Sequence, residues 1–200
     1  VDITVTGEGA VLAAPDLLRL HAGVEVRRAS AAEAFAAARA AAARLAGALV
    51  SAGVAPEDVR TVELSLGPEY DSYPTVAAYR AVQGVEVIVR DLGRADRVID
   101  TVAGVGEEAR LNGLAFELSD PAAALAEART RAFRDAAAKA AQYAGLAGRP
   151  LGRVVSVTEE PWTGPPQPMR TALAAAESDA SLSPGRQALS VRVRVGYDFA

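Results

Sequence analysis

The sequence contains no cysteine, which excludes disulfides, thiolate metal sites and cysteine nucleophiles. His21 is the only histidine. Too few soft donors are left for a transition-metal site. A histidine-dependent triad would need His21 beside an activated nucleophile, and no Gly-x-Ser-x-Gly segment occurs. No EF-hand calcium loop is present either. Aromatics make up only 5% of the residues, with one Trp and one Met. Lys139 is the sole lysine and every other basic residue is arginine, a pattern that reads as coding bias. No run reaches the roughly 20 apolar residues of a spanning helix. No secretory leader pattern is visible. The chain starts without Met in a strand-like run, which suits a mature or trimmed form.

What is there is ordinary for a globular protein: 200 residues, 50% hydrophobic and 23% charged, with a net charge of −4. The acidic balance argues against a general nucleic-acid binder. The length suits one domain or two small intertwined ones, and a body of this size buries about 70% of its unfolded surface without a metal or disulfide staple.

Residues 2–6 and 16–28 alternate as strands. In the second, Leu18, Leu20, Ala22, Val24 and Val26 share one face, and Arg19, His21, Glu25 and Arg27 the other. Ser30 and Glu33 form a capping box for a helix to about residue 52. Its predicted inner stripe is Phe35, Ala38, Ala42, Leu45 and Leu49, with Gly53 as its stop. Val62, Leu64 and Leu66 mark the next strand, 67–75 is turn-rich, and 78–90 is a further strand. A short helix follows at about 93–103 with Ala95, Val98, Ile99 and Val102 inward. Leu114, Phe116 and Leu118 then make a strand. Asp120 and Pro121 start a second long helix with Leu125, Ala128, Ala132, Ala136 and Tyr143 as its inner stripe, Glu127–Arg131 as an outer ion pair and Gly145 as its stop. Strands at 153–157 and 189–199 complete the chain.

Strand–long helix–strand–strand thus recurs at a spacing of about 90 residues. The predicted fold is α+β: two intertwined units whose long helices cover antiparallel-rich sheets. Subdomains near 1–91 and 92–200 are the predicted division, with the last strand, 187–199, completing a sheet. Residues 160–187 carry Pro161, Pro165, Pro166, Pro168 and Pro184 and read as a mobile loop outside the core. Trp162, Met169 and Arg170 are its candidate partner contacts, since such residues often anchor interfaces. The alternative is that Trp162 packs back on the body.

Gly7-Glu8-Gly9 raises the question of a phosphate loop. A dinucleotide fingerprint needs a third glycine between strand and helix. Here that place holds Leu12 and a strand follows, so Gly7 and Gly9 are read as letting the chain turn or bulge between strands. The segment 104–109 (GVGEEA) follows a helix and reads as a helix stop. Asp16, Glu25, Glu63 and Glu86 would form a carboxylate cluster if their strands neighbour. The competing reading is cross-strand pairing with Arg19, Arg27, Arg80, Arg192 and Arg194.

The order of segments resembles the SIMPL-domain family of secreted or periplasmic bacterial proteins. The segments that carry the resemblance are ITVTGEGAVLAAPD, GVEVRRASAAEAF, GVAPEDVRTVELSLGPEYD, YRAVQGVEVIVRDL, NGLAFELSDP and LSPGRQALSVRVRVGYDF. Together they span the chain as a single such domain. The resemblance implies an α/β fold, an exported or cell-envelope location, self-association into homo-oligomers and a link to stress tolerance. It implies no catalytic residue, cofactor or metal. Gly7, Gly9, Pro15 and Asp16 match the family's opening motif and are read as structural. The leading expectation is a non-enzymatic protein acting by self-assembly or by partner binding. The alternatives are a hydrolase-like enzyme using strand carboxylates and a small-ligand carrier with a pocket between helix and sheet.

Overall fold

The computed structural model describes residues 2–160 and 182–200. In chain order the elements are β1 (Ile3–Ala13), β2 (Leu17–Arg28), α1 (Ala31–Ser51), β3 (Val59–Ser72), β4 (Thr75–Val89), α2 (Ala95–Ala103), β5 (Ala109–Glu117), α3 (Ala122–Leu146), β6 (Leu151–Glu160) and β7 (Gln187–Phe199). All strand pairs are antiparallel, in a three-stranded sheet of order β1-β7-β6 and a four-stranded sheet of order β3-β4-β2-β5. The architecture is α+β.

The chain divides into two compact units. One holds β1, α3, β6 and β7; the other runs from Asp16 to Glu117. The second is therefore inserted in sequence between the first strand and the helix of the first. The boundaries fall at Pro15/Asp16 and Glu117/Leu118, not near residue 91. The recurring plan is present with one change of membership. β2-α1-β3-β4 is matched by β1-α3-β6-β7, because β5 pairs with β2 in the other sheet. Alternation shows that a segment is a strand but carries no information about which sheet it joins.

The helix ends follow local chemistry. Ser30 Oγ accepts from the Glu33 N–H at 3.3 Å. After α1, Gly53 has φ 97°, its N–H reaches the Val50 carbonyl at 3.0 Å, and the Val54 N–H reaches that of Leu49 at 3.1 Å. That is a Schellman stop. Asp120 Oδ1 accepts from the Ala122 N–H at 2.8 Å. The stop of α3 is Gly148 (φ 65°), with its N–H on the Gly145 carbonyl at 3.1 Å and the Arg149 N–H on that of Ala144 at 3.0 Å. The expected stop at Gly145 is corrected: only the left-handed residue reverses the chain.

In the four-stranded unit, Ala41, Ala42, Leu45 and Leu49 of α1 and Ala95, Val98 and Val102 of α2 bury Leu18, Leu20, Val24, Val85, Val87 and Val89. Phe35 is only half-buried, with Arg39 5.9 Å from its ring centroid. Among the described residues α1 is the helix long and apolar enough, by length and composition, to cross a membrane. Its apolar face is spent on this core. In the three-stranded unit, Ala128, Ala132, Ala136, Ala140 and Ala144 pack on Ile3, Val5, Val191, Val193, Val195 and Tyr197. Tyr143, expected inside, is 58% exposed because the buried stripe shifts to Ala144. Residues 67–75 are strand on both sides of a tight turn at Tyr73-Pro74, so β3 and β4 form one long hairpin.

Candidate functional site: strand edges and a charged sheet face

Gly7 and Gly9 lie inside β1, in unbroken register opposite Val193 and Val191. Neither has a left-handed φ. The expected turn or bulge is therefore corrected. Both continue the buried alternation of Ile3 and Val5, and the face they occupy meets α3. A Cβ on Gly7 would collide with the Ala132 carbonyl and stand 2.5 Å from the Ala136 nitrogen. One on Gly9 would collide with the Ala128 carbonyl and stand 2.5 Å from the Ala132 nitrogen. The need for glycine is thus the close approach of a helix backbone. Glycines in phase with Ile3 and Val5, together with alanines every fourth residue of α3, are the sequence signal for it. β1 runs on to Ala13 and is followed by β2, so no helix N-terminus stands where a phosphate would lie. Pro15 is buried in the link between β1 and β2, and the Asp16 N–H donates to the Glu117 carbonyl at 3.0 Å.

α3 also closes the outer edge of β1. Asp135 Oδ2 accepts from the Glu8 N–H at 2.9 Å and from Lys139 at 2.6 Å. Lys139 Nζ donates to the Thr6 carbonyl at 3.0 Å, and Arg131 Nη1 donates to that of Ala10 at 2.8 Å. Backbone groups that would otherwise invite another strand are taken by side chains. Lys139 first, and then the Glu8 N–H, hold the Asp135 carboxyl below its ordinary range.

The four-stranded sheet has a charged outer face. Arg19 donates to both carboxylate oxygens of Glu117 at 2.8 Å and also reaches Glu86 at 2.8 Å. Arg60 reaches Glu86 at 2.8 Å. Glu25 lies 3.6 Å from Arg80 and 3.8 Å from Arg110. Arg27 pairs with Glu69. Arg19 holds the Glu117 carboxyl below its ordinary range, chiefly through their hydrogen bonds. Of the carboxylates the sequence brought forward, Glu25 and Glu86 are neutralised by arginines. Glu63 is exposed, with its Cβ beside Gly84. His21 shares this face opposite Glu86. Such a lattice holds strands in register.

Two hollows among the described residues belong to this unit. An open cleft of about 410 Å³ is lined by Glu25, Arg27, Arg28, Glu107, Glu108 and Arg110. Apart from Val26 its lining residues are charged, unlike the mainly apolar lining of a typical ligand pocket. A smaller hollow of about 150 Å³ lies over Asp58, which Arg90 grips with two bonds of 2.7 and 2.8 Å. Among the described residues no group of three or more His, Asp or Glu is placed to hold a metal ion.

The largest departure from expectation is β3. Val62, Leu64 and Leu66 are 48, 58 and 45% exposed, and along the same hairpin Tyr70, Tyr73 and Val76 are exposed as well. β3 is an edge strand, while β7 is paired on both sides. The terminal strand is therefore interior to its sheet. Apolar alternation looks the same on a core strand and on an apolar edge, which is why the sequence did not separate them. Trp162, Met169 and Arg170 lie in 161–181, outside the described residues. In the rest of the segment expected to be a mobile loop outside the core, Glu160 ends β6, Gln187 begins β7 and Leu182 packs against the core of the four-stranded unit, which corrects its expected ends.

Comparison with known proteins follows the same outline. A family model described as SIMPL, protein of unknown function (DUF541), matches residues 3–197. The 26 kDa periplasmic immunogenic protein of Brucella melitensis biotype 1 is 32% identical over 98% of this chain and 84% of its own length. The protein of the same name from Brucella abortus (strain S19) matches equally. The uncharacterized protein YggE of Escherichia coli K12 is 29% identical over 84% of this chain and 69% of its own.

Proposed function

We propose, from the premise that this chain belongs to the SIMPL family, that it works without catalysis, by assembling with copies of itself in the cell envelope. It is an exported protein, as its periplasmic relatives are. The observation that supports assembly is the β3–β4 hairpin, which leaves Val62, Leu64, Leu66, Tyr70, Tyr73 and Val76 to solvent. Apolar surface gathered on an edge strand is characteristic of an interaction site. The hydrolase alternative is disfavoured by the arginines on Glu25, Glu86 and Glu117, and the carrier alternative by the charged lining of the larger cleft. A partner held through Trp162, Met169 and Arg170, and a part in stress tolerance, are further proposals that rest on the sequence reading and the family resemblance. Light scattering at micromolar concentration tests assembly: a species larger than one chain is expected, and a clean monomer across the concentration range would end the proposal.

A further inference from the structure

The reading of the chain as self-assembling, on which this inference rests, does not say which surface meets the second copy. Free edges belong to β1 and β6 in one sheet and to β3 and β5 in the other. That of β1 is occupied by Asp135, Lys139 and Arg131. We infer that the free edge of β3 pairs antiparallel with β3 of a second copy of this chain, about a two-fold axis through Ser65.

The flat part of this edge is well defined. From Glu63 to Glu69, β3 runs without a register shift against Gly84 to Ala78 of β4, with irregularities on either side. Those irregularities bend the strand and end the pairing surface. Pro68, opposite Tyr79, has no N–H to give to β4. Its position is therefore one whose backbone points away from β4. Alternation then makes Leu64 and Leu66 outward-pointing as well, and leaves Glu63, Ser65 and Gly67 bonded to β4.

Centring on Ser65 sets Leu64 opposite Leu66 of the second copy, and Leu66 opposite its Leu64. Each facing pair then exchanges both of its main-chain hydrogen bonds, and the missing donor of Pro68 falls outside the centre. Two exposed leucines of the strand then cover each other. Charge fits the same register. Residues 64–68 are uncharged, Glu63 falls opposite Gly67, and Glu69 falls opposite Thr61 with Arg60 beside it. No carboxylate faces a carboxylate, which would be destabilising. A centre at Leu64 would instead pair Leu66 with Val62, at the irregularity between Thr61 and Glu63.

The absence of cysteine supplies a clean test on the full chain. Facing Ser65 residues form a non-bonded pair with Cα atoms about 4.5 Å apart, inside the roughly 4.4–6.8 Å range of a disulfide. Under mild oxidation Ser65→Cys is expected to give a covalent dimer on a non-reducing gel, at least about tenfold faster than Glu63→Cys or Thr101→Cys, whose geometry lies outside that range. In sedimentation, Leu64→Lys with Leu66→Lys is expected to weaken association by at least about tenfold through facing like charges. At concentrations where both proteins are monomeric, its circular dichroism and melting should match wild type, because both leucines are exposed and only the lost partner contributes to stability. A wild type that stays monomeric defeats the assembly reading itself. A wild type that associates while Ser65→Cys links no faster than the controls, and while the lysine variant still associates, overturns the β3 assignment alone. If association is lost instead in Val154→Lys with Val157→Lys, the second copy sits on β6 and the inference is wrong.

Discussion

The two sheets meet their long helices in opposite ways. In the four-stranded unit, Leu45 and Leu49 of α1 reach down onto Leu18, Leu20 and Val24, and side-chain volume fills the layer. In the three-stranded unit there is little side chain to fill it. Alanines of α3 rest on Gly7 and Gly9, and helix backbone nearly touches strand backbone. The close approach has a second result. It brings Asp135, Lys139 and Arg131 within reach of the backbone of β1, so the edge beneath α3 is sealed. α1 lies over β2 and β4, and the edge at β3 keeps its leucines exposed. Packing distance and edge exposure are thus linked within each unit.

The comparison is broken most severely by changing volume in opposite directions. Gly7→Ala with Gly9→Ala adds two methyl groups where none fits. Its cost should lie at or above the upper end of the roughly 1–3 kcal/mol of ordinary overpacking. Leu45→Ala removes volume from the other unit and should cost about 2–5 kcal/mol. Denaturant unfolding reads both, and a glycine variant as stable as wild type would show that α3 can lift away freely.

A smaller effect sharpens the contrast between the edges. Asp135 is held below its ordinary range by Lys139 and the Glu8 N–H, and Glu117 by Arg19. A depressed carboxylate contributes stability that is fully present above its unfolded value, near 3.9 for Asp and 4.3 for Glu. That contribution is lost as pH falls through the lower folded value. Asp135→Asn should therefore flatten the acid limb of stability and speed hydrogen exchange at the Glu8 amide. Glu117→Gln should flatten the acid limb and leave the Glu8 amide alone. Equal exchange at Glu8 in all three proteins would show that the seal is not held by Asp135.

The smallest effect concerns Tyr197, whose hydroxyl is buried in the alanine-packed core without a partner among the described residues. Burial pushes its pKa up. An unpaired buried hydroxyl costs its desolvation, so Tyr197→Phe should be neutral or stabilising by up to about 1 kcal/mol. A loss of more than that on thermal melting would reveal a hydrogen bond to solvent inside the layer.

Local chemistry by itself determined a good part of this protein. Alternation placed β2 and β4, and Ser30, Gly53 and Asp120 marked helix ends, because caps and left-handed stops depend only on neighbours a few residues away. The family was legible as well, in the order of short segments along the chain. Tertiary structure decided the rest. Only the fold shows that β5 leaves the second repeat for the other sheet and that β1 completes it, since pairing partners lie far apart in sequence. Only packing shows Gly7 and Gly9 beneath a helix instead of in a turn, because a missing Cβ serves either purpose and its neighbours are more than a hundred residues away. The exposed leucines of β3 and the buried valines of β4 carry the same alternating pattern. What separates them is whether a helix lies above, and that is set by the width of α1 against a sheet of four strands.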